Sequence, residues 1–575
     1  MQRKNIRLPM LLLFSVIMLI SVIPASAQDD ELRELSDLQF VDYLRQYRDP
    51  AVHAVLPGGE RAQRTEKCGF AVMVEAARRL EHAAPPIASD IRAMLAPQRR
   101  QTSLFSPSGL FRIHYDTSGA HAAALLDDRN VRIPNSAHDY AQKAAEVFDH
   151  VYQVEIGEYG FDPPPFEELL SYYNIFVLDF RGSVYGQTLF NLPLPSSGTV
   201  RPTYASFVEI DNDFLGYETQ GLDGLRVTAA HEFHHVVQLG TYGLWLNDRW
   251  MHEMASTYFE EAVYPEVNDY FQYIRTYMRN TERPMWRWGV DGYELALWPL
   301  FLESKYDQTL MRDFWTGMRQ SEPVSAMRDG ISAHGGDMTS ELCSWAQANF
   351  FTGYRAPMLL PAVYDDAPGL ALPQLHAGQE LLGNTATING SVAPTGAMYM
   401  RVYRGLDTVS FVVANTDIAA AAGRDVNGVA FELEVRAEDW TAATHTALGN
   451  GWAYRLTAAA SNVLCLGVPE GGASNLVERE LPFPNPYDPG EFSRMYFPLP
   501  RTLDVNQADL YVFSPSMNLI ARREAVSIEL DDNFGAYVGF DGKTDDGAML
   551  ASGIYFYVVR FGDESRSGKF AVVRR

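Results

Sequence analysis

The chain has 575 residues, 47% hydrophobic and 12% aromatic, with a formal charge of −25 and three cysteines. That length implies roughly three to five folded units, and the apolar content excludes global disorder. The negative charge repels polyphosphate and excludes nucleic acid as a partner, while three cysteines without CxxC spacing exclude a dense disulfide framework.

Arg3, Lys4 and Arg7 precede an apolar run from Leu8 to Pro24 that ends in Ala25-Ser26-Ala27. Residues 1–27 therefore read as an export signal with a small-residue cleavage site, an uncleaved anchor being the rival reading. No other stretch is long and apolar enough to span a bilayer, so a secreted or cell-surface bacterial protein with no integral membrane segment after cleavage is expected. No cysteine follows Ala27, which argues against a lipoprotein anchor.

Residues 28–104 read as a helical leader or propeptide, because Leu32–Tyr47 and Cys68–Leu80 carry apolar residues at helical spacing before Pro85-Pro86 intervenes. Over 105–365, short β-type runs such as Leu110–Tyr115 and Tyr173–Phe180 alternate with long helical segments, which predicts an α+β domain. Helical periodicity then fades. Met398–Tyr403, Thr408–Ala414 and Val429–Val435 predict a β-sandwich over 375–475. The Pro-rich stretch Leu481–Pro489 opens a further β unit, 480–575, with strands at Leu510–Phe513 and Ile554–Phe561.

The chemistry concentrates at His-Glu-Phe-His-His, residues 231–235, within a Pro-free helical pattern from Leu225 to Leu239. His231 and His235 lie one turn apart on a common face, where two neutral imidazoles can chelate one zinc ion. Zinc lowers the pKa of water to about 7, and Glu232 is placed to accept the proton. A third ligand is needed. Glu253 is the candidate, because a second amphipathic helix, Trp250–Tyr264, returns after a turn containing Gly240, Gly243 and Asn247-Asp248. Glu260 and Glu261 read as a solvated helix end, and His234 and His252 as packing or supporting residues.

Val227-Thr-Ala-Ala-His-Glu-Phe-His-His-Val-Val-Gln238, followed by Trp250-Met-His-Glu-Met-Ala-Ser-Thr-Tyr-Phe-Glu-Glu261, resembles a bacterial gluzincin-type metalloprotease family in which a TAAHEFFHAVQ-like helix precedes a WxxEGTATW-like one. Phe111-Arg-Ile-His-Tyr-Asp-Thr-Ser-Gly119, Ile210-Asp-Asn-Asp-Phe214 and Tyr293-Glu-Leu-Ala-Leu-Trp-Pro299 extend the resemblance over most of 105–310. It implies a zincin-like domain with His231, His235 and Glu253 as zinc ligands and Glu232 as catalytic acid-base. Two departures stand out: Met254 replaces the glycine after the third ligand, and His234 stands where an aromatic is usual. Tyr293 is the candidate for stabilising an oxyanion, an ordinary core tyrosine in a helix running to Lys305 being the alternative.

At the C-terminus, Asn485-Pro-Tyr487, Phe497-Pro-Leu-Pro500, Phe540-Asp-Gly542 and Gly547-Ala-Met-Leu-Ala-Ser-Gly-Ile-Tyr-Phe-Tyr557 resemble the FlgD-type immunoglobulin-like domain and, in pattern, the sorting domains of type IX secretion. The resemblance implies a contact with bacterial secretion machinery; a plain β-sandwich spacer explains the residues equally.

Asp127-Asp128-Arg-Asn130 and Asp211-Asn-Asp213 offer oxygen ligands to calcium without meeting the full loop pattern, so acidic turns are the default. Cys68 is open to three readings: a thiolate that blocks the zinc, a buried thiol, or a bridge to Cys343. The expectation is a zinc metallopeptidase with one catalytic ion, acting on peptide bonds in extracellular proteins. The rivals are a catalytically silent surface adhesion protein with a metalloprotease-like core and a zinc hydrolase of a non-peptide bond.

Overall fold

The structure is a computed structural model that describes residues 32–48, 66–167, 170–195, 198–287, 292–358, 363–380, 385–404, 407–436, 454–458, 463–470, 487–489, 494–499, 507–514, 518–531, 535–562 and 564–574. The expected signal segment 1–27 lies outside these residues, as does most of the Pro-rich boundary at 481–489. No helix of the described residues is long and apolar enough to cross a membrane. The chain divides into two compact units, Met1–Arg404 with Val409–Pro469, and Gly405–Thr408 with Glu470–Arg575.

The larger unit is built on a mixed six-stranded sheet. Its strands are β1 (Glu66–Cys68), β2 (Thr102–Phe105), β3 (Phe111–Tyr115), β4 (Tyr173–Leu178), β5 (Val184–Pro193) and β6 (Tyr204–Asp211), in spatial order β1-β5-β6-β4-β3-β2. Strands β3, β4 and β6 are mutually parallel, β5 is antiparallel to β6, β2 is antiparallel to β3, and β1 runs parallel to β5. Alternation along β4 feeds two cores. Ile175 and Val177 face one, Phe176 and Leu178 the other, as period-two side chains must.

Helices cover both faces. In chain order they are α1 (Asp37–Arg48), α2 (Phe70–Leu80), α3 (Pro85–Met94), α4 (Ala137–Tyr152), α5 (Gly221–Val237), α6 (Arg249–Val263), α7 (Phe271–Met278), α8 (Leu297–Glu303), α9 (Thr309–Met318), α10 (Pro323–Ala333) and α11 (Met338–Phe350). In α4, Tyr140, Ala141, Ala144, Ala145, Phe148 and Val151 share one buried stripe at three- and four-residue spacing; they join Phe111, Ile113 and Phe233 of α5 in the first core. Phe40, Leu44, Val72, Met73 and Ile91, from α1 to α3, fill the second core against Phe176, Leu189 and Phe207. The segment expected as a leader therefore supplies one covering layer and the edge strand of the sheet.

After the helices, β7 (Leu375–Glu380), β8 (Thr385–Val392), β9 (Ala397–Arg404), β10 (Asp407–Asn415), β11 (Val429–Arg436), β12 (Tyr454–Ala458) and β13 (Val463–Glu470) form sheets β13-β10-β9-β7 and β12-β11-β8. Ile388 and Leu433 of one sheet and Met400, Val402, Phe411 and Val413 of the other share a core, which is consistent with the expected sandwich. The far face of the larger sheet, with Tyr399 and Val412, packs on Ala346 and Phe350 of α11.

The smaller unit contains β14 (Met495–Leu499), β15 (Gln507–Phe513), β16 (Leu519–Ser527), β17 (Glu529–Asp531), β18 (Gly535–Phe540), β19 (Gly553–Phe561) and β20 (Glu564–Val572), in sheets β14-β18-β17 and β16-β15-β19-β20. Phe497 and Val538 of the first sheet meet Leu510, Tyr557 and Phe570 of the second in one apolar cluster. This too is consistent with the expected sandwich.

Candidate metal centre

Helix α5 carries the His-Glu-Phe-His-His run and lies against β5 and β6 at the β1–β5 end of the sheet. It can approach β5 closely because residue 186 is glycine: a Cβ there would sit 2.7 Å from Thr228 Cγ2 and 3.0 Å from Glu232 Cγ. At its end the helix widens into a π turn, Gln238–Tyr242, closed by Gly243 at φ +97°. Such turns recur at functional sites because they re-aim side chains. Here the turn carries Gln238, and α6 returns over α5 with all of its residues buried except Ala262.

The geometry brings the three expected ligands together. Glu253 Oε2 lies 3.1 Å from His231 Nε2 and 3.2 Å from His235 Nε2, and all three side chains are at most 1% exposed. The surrounding hydrogen bonds fix which ring nitrogens carry protons. Gln238 Nε2 donates to the His252 carbonyl at 3.0 Å, so Gln238 Oε1 faces the Nδ1 atoms of His235 and His252, at 2.9 and 2.8 Å, and accepts from both. His252 agrees, since its Nε2 accepts the Trp245 amide at 3.2 Å. His231 Nδ1 sits 2.7 Å from Glu260 Oε1, whose other oxygen is 2.9 Å from the Lys67 ammonium, so it too donates outward.

Both Nε2 atoms therefore present lone pairs to a carboxylate oxygen. That convergence in a buried space suits a bound cation, or in its absence a proton on the Glu253 carboxyl. Cys68 completes the set: its Sγ and ligand atoms of His231, His235 and Glu253 all lie within 4.8 Å of one another. This buried Cys/His/His/Glu group could hold a metal ion. Two imidazoles, one carboxylate and one thiol are a donor set that zinc accepts.

Burial raises the carboxyls of Glu232 and Glu253 and lowers the imidazoles of His231 and His235, so without a cation the pocket favours uncharged forms. Burial beside Glu232 and Glu253 likewise raises the Cys68 thiol well above its ordinary value. Burial also raises Glu260, to about 8, a rise that Lys67 offsets only in part. Burial works against the charge of Lys67 as well, but Asp269 at 2.6 Å and Glu260 hold its pKa above the usual value.

Glu232 is buried beside the ligands. Thr188 Oγ1 lies 2.7 Å from its Oε2 and 2.9 Å from its backbone carbonyl, while Oε1 makes no hydrogen bond. The Tyr293 ring stands 5.7 Å from the His231 ring. It sits on a 3-10 turn, Tyr293–Leu295, and not in a helix running to Lys305, because α8 begins at Leu297 and ends at Glu303.

Two further expectations change. Glu260 is no solvated end, being 1% exposed and the partner of His231, and Glu261 is buried as well. Cys68 is not bridged to Cys343; both are free thiols, and the side chain of Cys465 lies outside the described residues. Lys67 and Gln238 escaped the sequence reading altogether. For Gln238 the signal was available, three residues after a ligand histidine and so on the same helical face, whereas nothing local marks Lys67.

His234 keeps its expected packing role: it stacks on Phe259 with centroids 4.2 Å apart, and its Nδ1 meets Glu155 at 2.9 Å. Burial holds its pKa well below the ordinary value, which favours the uncharged ring in this packing. The acidic stretches are spent on turns. Asp127 Oδ1 accepts the amides of Arg129 and Val131, and Asp211 accepts those of Asp213, Phe214 and Phe180.

No family model and no curated protein matches the chain. A solved structure of PorZ, a bacterial surface component of the type IX secretion system of Porphyromonas gingivalis, is similar at 13% identity and a TM-score of 0.14, over 31% of this chain and 29% of that one. A likeness of that extent carries no information on function.

Proposed function

We propose that the chain is a secreted zinc-dependent metallopeptidase that hydrolyses peptide bonds in extracellular proteins. The observation that carries this reading is the convergence of His231 Nε2, His235 Nε2 and Glu253 Oε2, with the carboxylate of Glu232 on the same helix. Zinc, when bound there, supplies an acidified water and polarises the scissile carbonyl. Glu232 acts as general base and then returns the proton to the leaving amine. Thr188 orients it through Oε2 and leaves Oε1 for the proton. Gln238, His252 and Glu260 hold the imidazoles with Nε2 inward, and Tyr293 is the nearby candidate for steadying the oxyanion.

One observation favours a second reading. Four buried protein donors form the closed set of a structural zinc site, which would suit a catalytically silent surface protein. Glu232 separates the two, since a structural site has no use for a buried carboxylate beside its ligands. Metal analysis of the purified chain is expected to give about one equivalent of zinc. Incubation with a proteome-derived peptide library, run also in a Cys68→Ser background because a thiol stands at the fourth corner, is expected to yield cleavage products. Glu232→Gln should keep the zinc and abolish cleavage; a chain without zinc, or a Glu232→Gln protein that still cuts, overturns the assignment.

A further inference from the structure

We infer that residues Glu66–Phe70 hold the metal site closed, with Cys68 as a fourth metal ligand and β1 occupying the sheet edge along which an extended peptide substrate would pair. This rests on the metallopeptidase reading and adds its regulation and mode of substrate binding.

Three side chains from five consecutive residues engage three separate parts of the site. Lys67 pairs with Glu260, the residue that orients His231. Cys68 places its sulfur in the ligand cluster, where it also accepts the Phe70 amide at 3.3 Å. Phe70 stacks on His235 with centroids 4.1 Å apart and planes 13° from parallel. Gly69 makes the seat tight, since a Cβ there would fall 2.3 Å from Tyr47 Oη and 2.6 Å from Gln187 Oε1. With the segment in place, no donor is more than 2% exposed, so neither water nor a polypeptide has a route to the ligands. A zinc site with four protein donors is saturated, whereas a catalytic one keeps a position open.

The backbone points the same way. Strand β1 pairs with the edge of β5 through Glu66↔Val184 and Cys68↔Gly186, and Gly69 N–H donates to Gly186 O at 3.0 Å. Gly186 is also where α5 brings Glu232 against the sheet. The edge beside the general base is thus taken by three residues of the chain itself. A strand so short contributes few backbone bonds, and another extended segment can replace it by the same pairing, with specificity from alternate side chains. Displacement of Cys68 then frees one metal position and one sheet edge together.

The test uses the full chain loaded with cobalt(II). Thiolate-to-cobalt charge-transfer absorption is expected in the wild type and in a Cys343→Ser, Cys465→Ser double variant, in which Cys68 is the remaining thiol, and is expected to vanish in Cys68→Ser with cobalt still bound. With zinc, Cys68→Ser should cleave an unstructured protein such as casein about tenfold faster or more, the ratio expected when the open form is a tenth or less of the wild-type population. A single-thiol chain that binds cobalt without the band overturns the closure and leaves the peptidase reading standing. A band accompanied by equal cleavage in wild type and Cys68→Ser also overturns the closure alone. A band with no cleavage by Cys68→Ser overturns both, and marks a permanently closed structural site.

Discussion

The region around α5 and α6 and the C-terminal unit solve the problem of burial in opposite ways. In the first, His231, Glu232, His234, His235, Gln238, His252, Glu253 and Glu260 are all nearly inaccessible, and each meets at least one other polar group. In the second, no polar or charged residue is buried among the described residues, and Phe497, Leu510, Val538, Tyr557 and Phe570 interlock as an apolar cluster. That unit also contains no histidine. A charged group buried without a partner costs several kcal/mol, so a chain that can close a core with apolar side chains gains no stability from doing otherwise. The apolar core is therefore explained by the fold alone, and the polar one is not.

Removing a ligand breaks the comparison most severely. Glu253→Ala takes away the oxygen on which both imidazoles converge, and the loss in zinc affinity should exceed the roughly 100-fold that follows from disturbing a supporting residue. Competition with a chromogenic chelator measures it; an unchanged affinity would remove Glu253 from the ligand set. Next in size is Phe497→Ala, which opens a cavity between Tyr557, Phe540 and Phe570 and should destabilise the C-terminal unit by about 3–5 kcal/mol. Urea unfolding followed alongside zinc content separates the two regions, because zinc content should not move.

Much of the metal centre was legible because its members are local. His231 and His235 share one helical face by spacing, with Glu232 beside them in the sequence, and the turn length brings Glu253 back onto them. Strands β3 and β4 likewise declare themselves as β-branched and aromatic runs. What escaped, Gln238 apart, is non-local. The β1–β5 pairing joins residues 66–68 to 184–186, more than a hundred positions apart, and three residues carry no periodicity to read. The reading of Glu260 fails for a related reason: a carboxylate near a helix end is usually solvated, and here it is buried between His231 and the ammonium of Lys67, the latter delivered by that distant strand. The same pairing removes one of the three readings of Cys68, since it carries the thiol toward His231, His235 and Glu253 and away from Cys343.

The finest division between the two regions lies in Gln238. Its side chain touches no expected ligand position on the metal, yet it accepts from both His235 and His252 and is itself anchored through Nε2 to the His252 carbonyl and to Ser256. Gln238→Leu keeps the volume and removes the acceptor. His235 is then free to take the other tautomer, placing a proton where the metal needs a lone pair, and the buried Nδ1 atoms lose their partner. Zinc affinity should fall by 10- to 100-fold, about 1.4–2.7 kcal/mol, with kcat falling less because Glu232 and Thr188 are untouched. Gln238→Glu, which retains an acceptor at the same place, should recover most of the affinity. Equal losses in the two variants would mean that Gln238 acts through packing, and the polar core would then differ from the apolar one in composition but not in kind.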